Sequence, residues 1–262
     1  MPAVALLRRT ALALVLVAAA PALAQAPQAA PATYEPQSGQ AGKDVIWVPT
    51  PQALVDRMLD MAKVTPRDFV MDLGSGDGRT VITAAKRGAR ALGVEYNPDM
   101  VELSKRNAEK EGVADKATFV KADIFESDFS KATVITMFLL PTLNLKLRPK
   151  ILNLKPGTRI VSNSFNMDTW NPDETALLGA AFDCTSFCTA YYWVVPAKVA
   201  GTYKVAQGEL VLKQTFQMLS GTLTTEGSVV PVEGKVVGEE ILLAGGGRNY
   251  RGRLKGKTLE LR

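Results

Sequence analysis

The residues best suited to do chemistry in this chain fall in one short run. Phe69 to Arg79 reads FVMDLGSGDGR: an apolar stretch, the carboxylate of Asp72, then Gly74, Gly76 and Gly78 alternating with Ser75 and Asp77. Glycines at this spacing let the backbone turn sharply and let a ligand approach without a Cβ in the way. A helix can start just after them, and its free N–H groups would face the same crevice. A pyrophosphate fingerprint has the spacing G-x-G-x-x-G, whereas this loop is G-x-G-x-G with an acid ahead of it. That acid suits a cationic ligand group better than a phosphate.

Two further carboxylates follow at telling positions. Ala91 to Glu95 reads ALGVE, a short strand ending in an acid about twenty residues past the loop, where an acid can accept hydrogen bonds from ribose hydroxyls. Ala117 to Asp123 reads ATFVKAD, which places Asp123 just beyond a third strand and within reach of an adenine amino group. Taken alone, Asp123 reads equally well as a solvated loop acid. The three acids together outline one crevice.

The elements that must position them form an open α/β sheet. Each of these strands ends in an acid or a glycine turn, which lines the carboxyl edge where such sheets bind ligands. A fourth strand runs through Thr133–Met137, and a helix from Leu143 to about Asn153 precedes the Lys155-Pro-Gly157 turn. A reversed last strand spans Ala190–Val195. The expected fold is therefore a doubly wound, Rossmann-like α/β sheet over residues 44–196.

Asp72-Leu-Gly-Ser-Gly-Asp-Gly78, Glu95 and Asp123 resemble the cofactor motifs of the seven-strand, class I S-adenosylmethionine-dependent methyltransferases, and the likeness runs from about Val45 to Pro196. The resemblance implies seven strands and S-adenosylmethionine as cofactor. It assigns Asp72, Gly74, Ser75, Gly76, Asp77 and Gly78 to the methionine moiety, Glu95 with Asn97 to the ribose, and Asp123 with Ile124 to the adenine edge. Trp47-Val-Pro-Thr-Pro51, Phe138-Leu-Leu-Pro141 with Asn144, Leu147-Arg-Pro-Lys150 and Lys155-Pro-Gly-Thr-Arg-Ile-Val-Ser162 narrow it. As a set they resemble the lysine methyltransferases of the ATP synthase c-subunit and, more distantly, the non-SET histone lysine methyltransferases. In such enzymes the Val-Pro-Thr segment folds over the cofactor, which makes Thr50 a contact. Thr50 also reads as a plain N-cap with Pro51 at the first helical position, and the two readings are compatible.

Methyl transfer is an in-line displacement, so the enzyme mainly positions the nucleophile and excludes water. A lysine amine has an ordinary pKa near 10.4 and must lose its proton first. Desolvation in an apolar channel lowers that value without a dedicated base. The chain contains no histidine, which excludes Ser–His–Asp hydrolysis and histidine metal sites. The expected acceptor channel follows the fourth strand, with Phe138 and Leu139 beside the transferred methyl, although both also read as core residues at a strand end. Asn144, early in the next helix, is a candidate to hydrogen-bond the acceptor. Adenine-modifying enzymes of this fold carry an Asn/Asp-Pro-Pro-aromatic motif here. Phe-Leu-Leu-Pro in its place argues against a nucleic-acid substrate. Asp168 and Trp170 lie where such folds build substrate loops, with packing as the plainer role for Trp170.

The chain's two ends differ from this domain. Arg8-Arg9, the apolar run Ala11–Ala20 and Ala22-Leu-Ala24 have the three parts of a secretory leader over residues 1–24, too short for a comfortable membrane span. Residues 25–43, rich in Pro, Ala and Gln, read as a mobile linker. The full chain carries a net charge of +5, and losing the leader removes two arginines. Export to the periplasm is thus expected, in tension with a cofactor made in the cytoplasm. Cys184 and Cys188 can bond if their segment is a hairpin turn; two small buried apolar residues is the default reading.

Residues 197–262 read as a small antiparallel meander or barrel. Leu210, Leu212, Phe216 and Met218 are expected on one face, with turns at Ser220-Gly, Glu226-Gly, Glu233-Gly, Gly245-Gly-Gly and Lys255-Gly. Its basic last stretch suits a weak membrane-surface or envelope contact, or simply guards an edge strand. The reading is a methyltransferase acting on a protein lysine or similar small amine. Small-molecule methylation and an exported, non-catalytic binding protein are the alternatives.

Overall fold

The computed structural model describes residues 1–2, 34–179 and 184–262, so residues 3–24 of the expected leader and the linker up to residue 33 lie outside the described residues. Seven strands form the first sheet: β1 (Phe69–Leu73), β2 (Arg90–Glu95), β3 (Ala117–Lys121), β4 (Val134–Met137), β5 (Arg159–Asn163), β6 (Glu174–Leu177) and β7 (Thr189–Val194). Their spatial order is β3-β2-β1-β4-β5-β7-β6. The first five pair in parallel. β7 runs antiparallel to both its neighbours, as the reversed last strand was expected to do. Strand order turns back between β1 and β4, and the carboxyl ends of β1, β2 and β4 open there onto one crevice.

Both faces of the sheet are covered because β1 is apolar on both. Val70 packs with Leu54 and Leu59 of α1 (Gln52–Met61), Val81 and Ala85 of α2 (Arg79–Lys86), and Val101 of α3 (Pro98–Lys110). Met71 and Leu73 point the other way, to Leu147 and Ile151 of α4 (Pro141–Ile151). Pro141 stands in the first turn of α4, where its missing N–H costs nothing. Trp170 and Trp193 close the second core, and the Trp193 indole N–H donates to the Trp170 carbonyl at 2.8 Å. Trp170 therefore packs and does not face a substrate.

The second sheet has seven strands in sequence order: β8 (Gly201–Val205), β9 (Gly208–Thr215), β10 (Met218–Thr225), β11 (Ser228–Val237), β12 (Glu240–Gly245), β13 (Arg248–Lys255) and β14 (Thr258–Leu261). Two-residue turns join them, and β14 returns beside β8. The result is a nearly closed barrel around Leu210, Leu212, Leu223, Val236 and Ile241. Two details depart from the expected pattern. Ser220-Gly221 and Glu233-Gly234 lie inside β10 and β11, not in turns. A Cβ on Gly221 would fall 1.9 Å from the Val211 carbonyl oxygen, so this glycine serves close strand approach.

The second departure is a turn at Phe216-Gln217, with Phe216 at φ 52°. It shifts the alternation by one residue. Gln217 is buried, Met218 is 55% exposed, and Phe216 leaves the barrel to stack on Trp170 at 6.0 Å. In the basic stretch, Arg251, Arg253 and Lys255 pair with Glu240, Glu239 and Glu260, which favours the edge-charge reading.

Candidate active site

The site grows from the register of β1 and β4, which sets Asp72 beside Thr136. Both point to the same face, and the Thr136 hydroxyl donates to Asp72 Oδ1 at 2.6 Å. The Asp72 carboxyl is buried at 6% exposure. Burial pushes its pKa up to about 7; the Thr136 hydrogen bond opposes this, and the nearby acids Glu95 and Asp77 add to it. Beside it, Ser75 Oγ is buried and finds no hydrogen-bond partner among the described residues. A buried carboxyl among other acids, next to an unpaired hydroxyl, is arranged for a ligand with a cationic group and an acceptor.

The loop after β1 carries the next contacts. Glu95, at the end of β2, accepts the Gly76 N–H on Oε2 and the Asn97 N–H on Oε1, each at 2.9 Å. These bonds fix the carboxylate and leave lone pairs for outside donors. The Asn97 side chain itself caps α3, accepting the Asp99 N–H at 2.9 Å. Asp77 is held by the Arg79 guanidinium at 3.0 and 2.6 Å. Gly78 stands apart: it does not line the pocket. Its φ is 84°, and a Cβ there would lie 2.8 Å from the Phe119 ring and 2.9 Å from Ser104 Cβ. Gly78 thus lets the start of α2 pack closely against β3 and α3.

The pocket is roofed by a segment that composition had hidden in the linker. Residues 39–47 form a small hairpin: the Gly39 N–H donates to the Trp47 carbonyl at 2.8 Å, and the Trp47 N–H to the Gln40 carbonyl at 2.9 Å. Its tip bears Lys43, which pairs with Asp123 and sits 4.7 Å from the centre of the Tyr96 ring. Asp123 lines the pocket with Ile124, but Lys43 already engages its carboxylate and holds its pKa below the ordinary range. The packed domain therefore starts before residue 44. Trp47 lies against the glycine loop, its Nε1 2.6 Å from where a Gly76 Cβ would stand. Thr50 lines the pocket, yet it is not the N-cap of α1; Pro51 is. Its hydroxyl accepts from Asn163 at 3.2 Å and its carbonyl from Arg79 at 2.8 Å.

The rest of the pocket lining is largely apolar. Phe138 and Leu139 line it with Met137, Leu140, Leu143, Phe165 and Phe187. Leu139 is also core, only 4% exposed. Asn144 does not reach this surface. It is wholly buried, and its Nδ2 donates to the Phe165 carbonyl at 3.0 Å and the Asn166 carbonyl at 3.2 Å. It holds the loop after β5, while its Oδ1 finds no hydrogen-bond partner among the described residues. Cys184 and Cys188 form a disulfide with Cα atoms 5.7 Å apart.

Comparison with known proteins agrees with this geometry. Residues 72–174 match the family model described as ANTKMT methyltransferase domain. A protein-lysine N-methyltransferase of Saccharolobus islandicus is 51% identical over 133 residues, covering 50% of this chain and 83% of the relative. The lysine N-methyltransferase of the ATP synthase c-subunit from Homo sapiens is 32% identical over 162 residues, covering 57% and 69%. Among solved structures, one described as an RNA methyltransferase from Salinibacter ruber, in complex with S-adenosyl-L-homocysteine, is 46% identical. It covers 58% of this chain and 96% of its own, with a TM-score of 0.53.

Proposed function

The chain belongs to the family of S-adenosylmethionine-dependent protein-lysine N-methyltransferases, and from that premise we propose that it methylates the side-chain amine of a lysine in a protein acceptor. The observation that supports this most is the division of one pocket into two chemistries. Asp72, Ser75 and Glu95 supply an acidic, hydrogen-bonding lining, while Phe138, Leu139 and Phe165 supply an apolar one.

The residues present fit S-adenosylmethionine. Asp72 lacks a cationic partner among the described residues and would hold the ammonium of the methionine moiety, with Ser75 Oγ as the waiting hydroxyl. Glu95, fixed by two backbone N–H groups, would accept from the ribose hydroxyls. When bound, this cofactor supplies an electrophilic methyl on a positively charged sulfur. Everything else is the work of the chain. The hairpin over residues 39–47 shields the pocket from water. The apolar lining desolvates the incoming amine, which lowers its pKa and gives it up as the neutral nucleophile. With no histidine in the chain, the proton is lost to solvent before the amine is desolvated, or is taken by a carboxylate or tyrosine.

Two further points extend the proposal. The Cys184–Cys188 disulfide supports a working life in an oxidising compartment, in line with the leader pattern over residues 1–24. An RNA acceptor is the second reading, carried by the Salinibacter ruber neighbour. The exposed apolar side chains at the pocket mouth, Leu140 and Phe187, favour a protein over a polyanion.

The test is calorimetric titration of S-adenosylmethionine and S-adenosylhomocysteine, followed by transfer of labelled methyl to envelope protein and, separately, to total RNA. Micromolar binding lost in Asp72→Ala, with label recovered as methyl-lysine after hydrolysis, is the expected result. Label recovered in RNA alone would overturn the lysine assignment. Absence of cofactor binding by the folded protein would overturn the enzyme.

A further inference from the structure

Three phenylalanine rings meet in the apolar lining of the pocket, and each comes from a different part of the chain. Phe138 follows β4, Phe165 follows β5, and Phe187 precedes β7. Their centroids lie 5.2 Å apart for Phe138 and Phe187, 6.1 Å for Phe138 and Phe165, and 6.2 Å for Phe165 and Phe187. All three line the pocket. These separations are those of mutually attractive aromatic pairs.

Two of the rings have dedicated holders. The Phe165 carbonyl accepts from Ser162 Oγ at 2.6 Å and from the buried Asn144 Nδ2 at 3.0 Å. Phe187 has no comparable burial, being 39% exposed, and its backbone sits at φ 56°. A non-glycine residue pays for that conformation unless its surroundings impose it. What surrounds it is a covalent loop: Phe187 lies between Cys184 and Cys188, whose sulfurs are bonded. Cys184 is buried, and the Cys188 carbonyl accepts the Leu178 N–H at 2.9 Å, which fastens the loop to the start of the β6–β7 hairpin.

We propose that the Cys184–Cys188 disulfide is a positioning device that sets Phe187 against Phe138 and Phe165, and that the three rings together form the wall selecting an unbranched aminoalkyl side chain as acceptor. This rests on the methyltransferase reading above. A lysine stem can lie along such a wall and keep its amine at the inner end, and ring faces stabilise the methylated, cationic product as it leaves. Reduction by a dithiol passes two electrons and two protons to the Cys184–Cys188 bond. Two thiols form, and the dithiol becomes its own cyclic disulfide. Freed of the bond, Phe187 relies on its two ring contacts, and the wall loosens on that side. The acidic lining, built from Asp72, Ser75 and Glu95, is untouched.

Binding to two cofactor analogues in which nitrogen replaces the sulfur tests this without any acceptor protein. One carries a methyl on that nitrogen and the other a four-carbon aminoalkyl arm. In the oxidised protein the arm should add about tenfold in affinity. Most of that gain should vanish after dithiothreitol, with both thiols confirmed by mass spectrometry, and in the Cys184→Ser/Cys188→Ser double variant. It should vanish equally in Phe187→Ala, which leaves the disulfide intact and tests the ring's own part in the wall, while binding of the methyl analogue to the reduced protein and the double variant shows that they are folded. The methyl analogue should bind all of them within about twofold of wild type. An arm that adds nothing in the oxidised protein, or adds as much after reduction and in Phe187→Ala, overturns the proposal while the methyltransferase stands. No binding of the methyl analogue to the oxidised wild type overturns the methyltransferase itself.

Discussion

Asp72 and Thr136 face each other across adjacent parallel strands, and the 2.6 Å bond from the Thr136 hydroxyl is the hydrogen bond that this buried carboxyl makes among the described residues. The pair is incomplete as a charged site. Burial with Glu95 and Asp77 nearby raises the Asp72 pKa to about 7, so near neutral pH the free protein carries it partly protonated.

Cofactor binding should therefore release a proton. An ammonium beside Asp72 favours its ionised form and lowers its pKa, so the complex is deprotonated where the free protein is half protonated. Affinity for S-adenosylmethionine should fall about tenfold per pH unit below 7 and level off above it. Titrations at pH 7 in two buffers of different ionisation enthalpy should show about half a proton released. Enthalpies independent of buffer, with affinity flat from pH 5.5 to 8, would rule this out.

The same carboxyl should destabilise the empty protein. Its folded pKa lies above the unfolded value, so its contribution to stability is fully present below about pH 4 and is lost as pH rises through about 7. Asp72→Asn removes that loss, since the amide oxygen can still accept from Thr136. At pH 8 the free variant should be more stable by roughly 1–3 kcal/mol, while cofactor binding disappears. A variant no more stable than wild type in thermal unfolding at pH 8 would show that Asp72 is not strained in the free state.

How much of this was visible in the sequence follows from how local each feature is. The glycine loop and the acids Asp72, Glu95 and Asp123 were legible because each sits beside its own strand, and strand ends are marked by acids and glycines. The hairpin over residues 39–47 was hidden because Pro, Ala and Gln dominate the segment before it, and the hairpin itself shows no periodicity. Lys43, Phe165 and Phe187 escaped because nothing in the one-dimensional pattern says which loops converge at the mouth. The packing of Gly78 against Phe119 and the grip of Asn144 on the loop after β5 were not legible, because each depends on elements distant in the chain. The two-residue turn at Phe216-Gln217 was missed because neither residue is a turn former, while Gly221 and Gly234, which signal turns, lie within strands.

That missed turn predicts how the two sheets depend on each other. Phe216 stacks on Trp170 with rings 18° apart, and Gln217 Nε2 donates to the Asn171 carbonyl at 2.7 Å. The Gln217 carbonyl also accepts the Val236 N–H at 2.7 Å. This hairpin tip thus helps fasten the barrel to the methyltransferase core, together with the Gly238 turn, which lies close to Gly157 and Val194. Phe216→Ala/Gln217→Ala should cost roughly 2–4 kcal/mol, through a cavity beside Trp170 and an unpaired carbonyl. It should also split thermal unfolding into two transitions. A single transition at an unchanged midpoint would mean the attachment lies elsewhere.

Lys43 and Asp123 give the last prediction. The lysine stands at the hairpin tip and its ammonium spans two groups of the pocket floor, the Asp123 carboxylate and the Tyr96 ring. The pairing raises the Lys43 pKa and lowers that of Asp123, each chiefly through the hydrogen bond between them. Because the pair is exposed, its effect on stability is small and screened by salt; its consequence is for the rate at which the roof opens. We propose that S-adenosylhomocysteine leaves as the hairpin lifts, and the ion pair must break as it does. Lys43→Met keeps the apolar stem and deletes the charge, so it should speed product release several-fold in stopped-flow displacement, and raising salt should narrow the difference from wild type. Asp123→Asn should behave the same way, and combining the two should add little, because both remove one interaction. Release rates that match wild type in both variants would mean that the hairpin is held by Trp47 against the glycine loop and that Lys43 plays no part in opening.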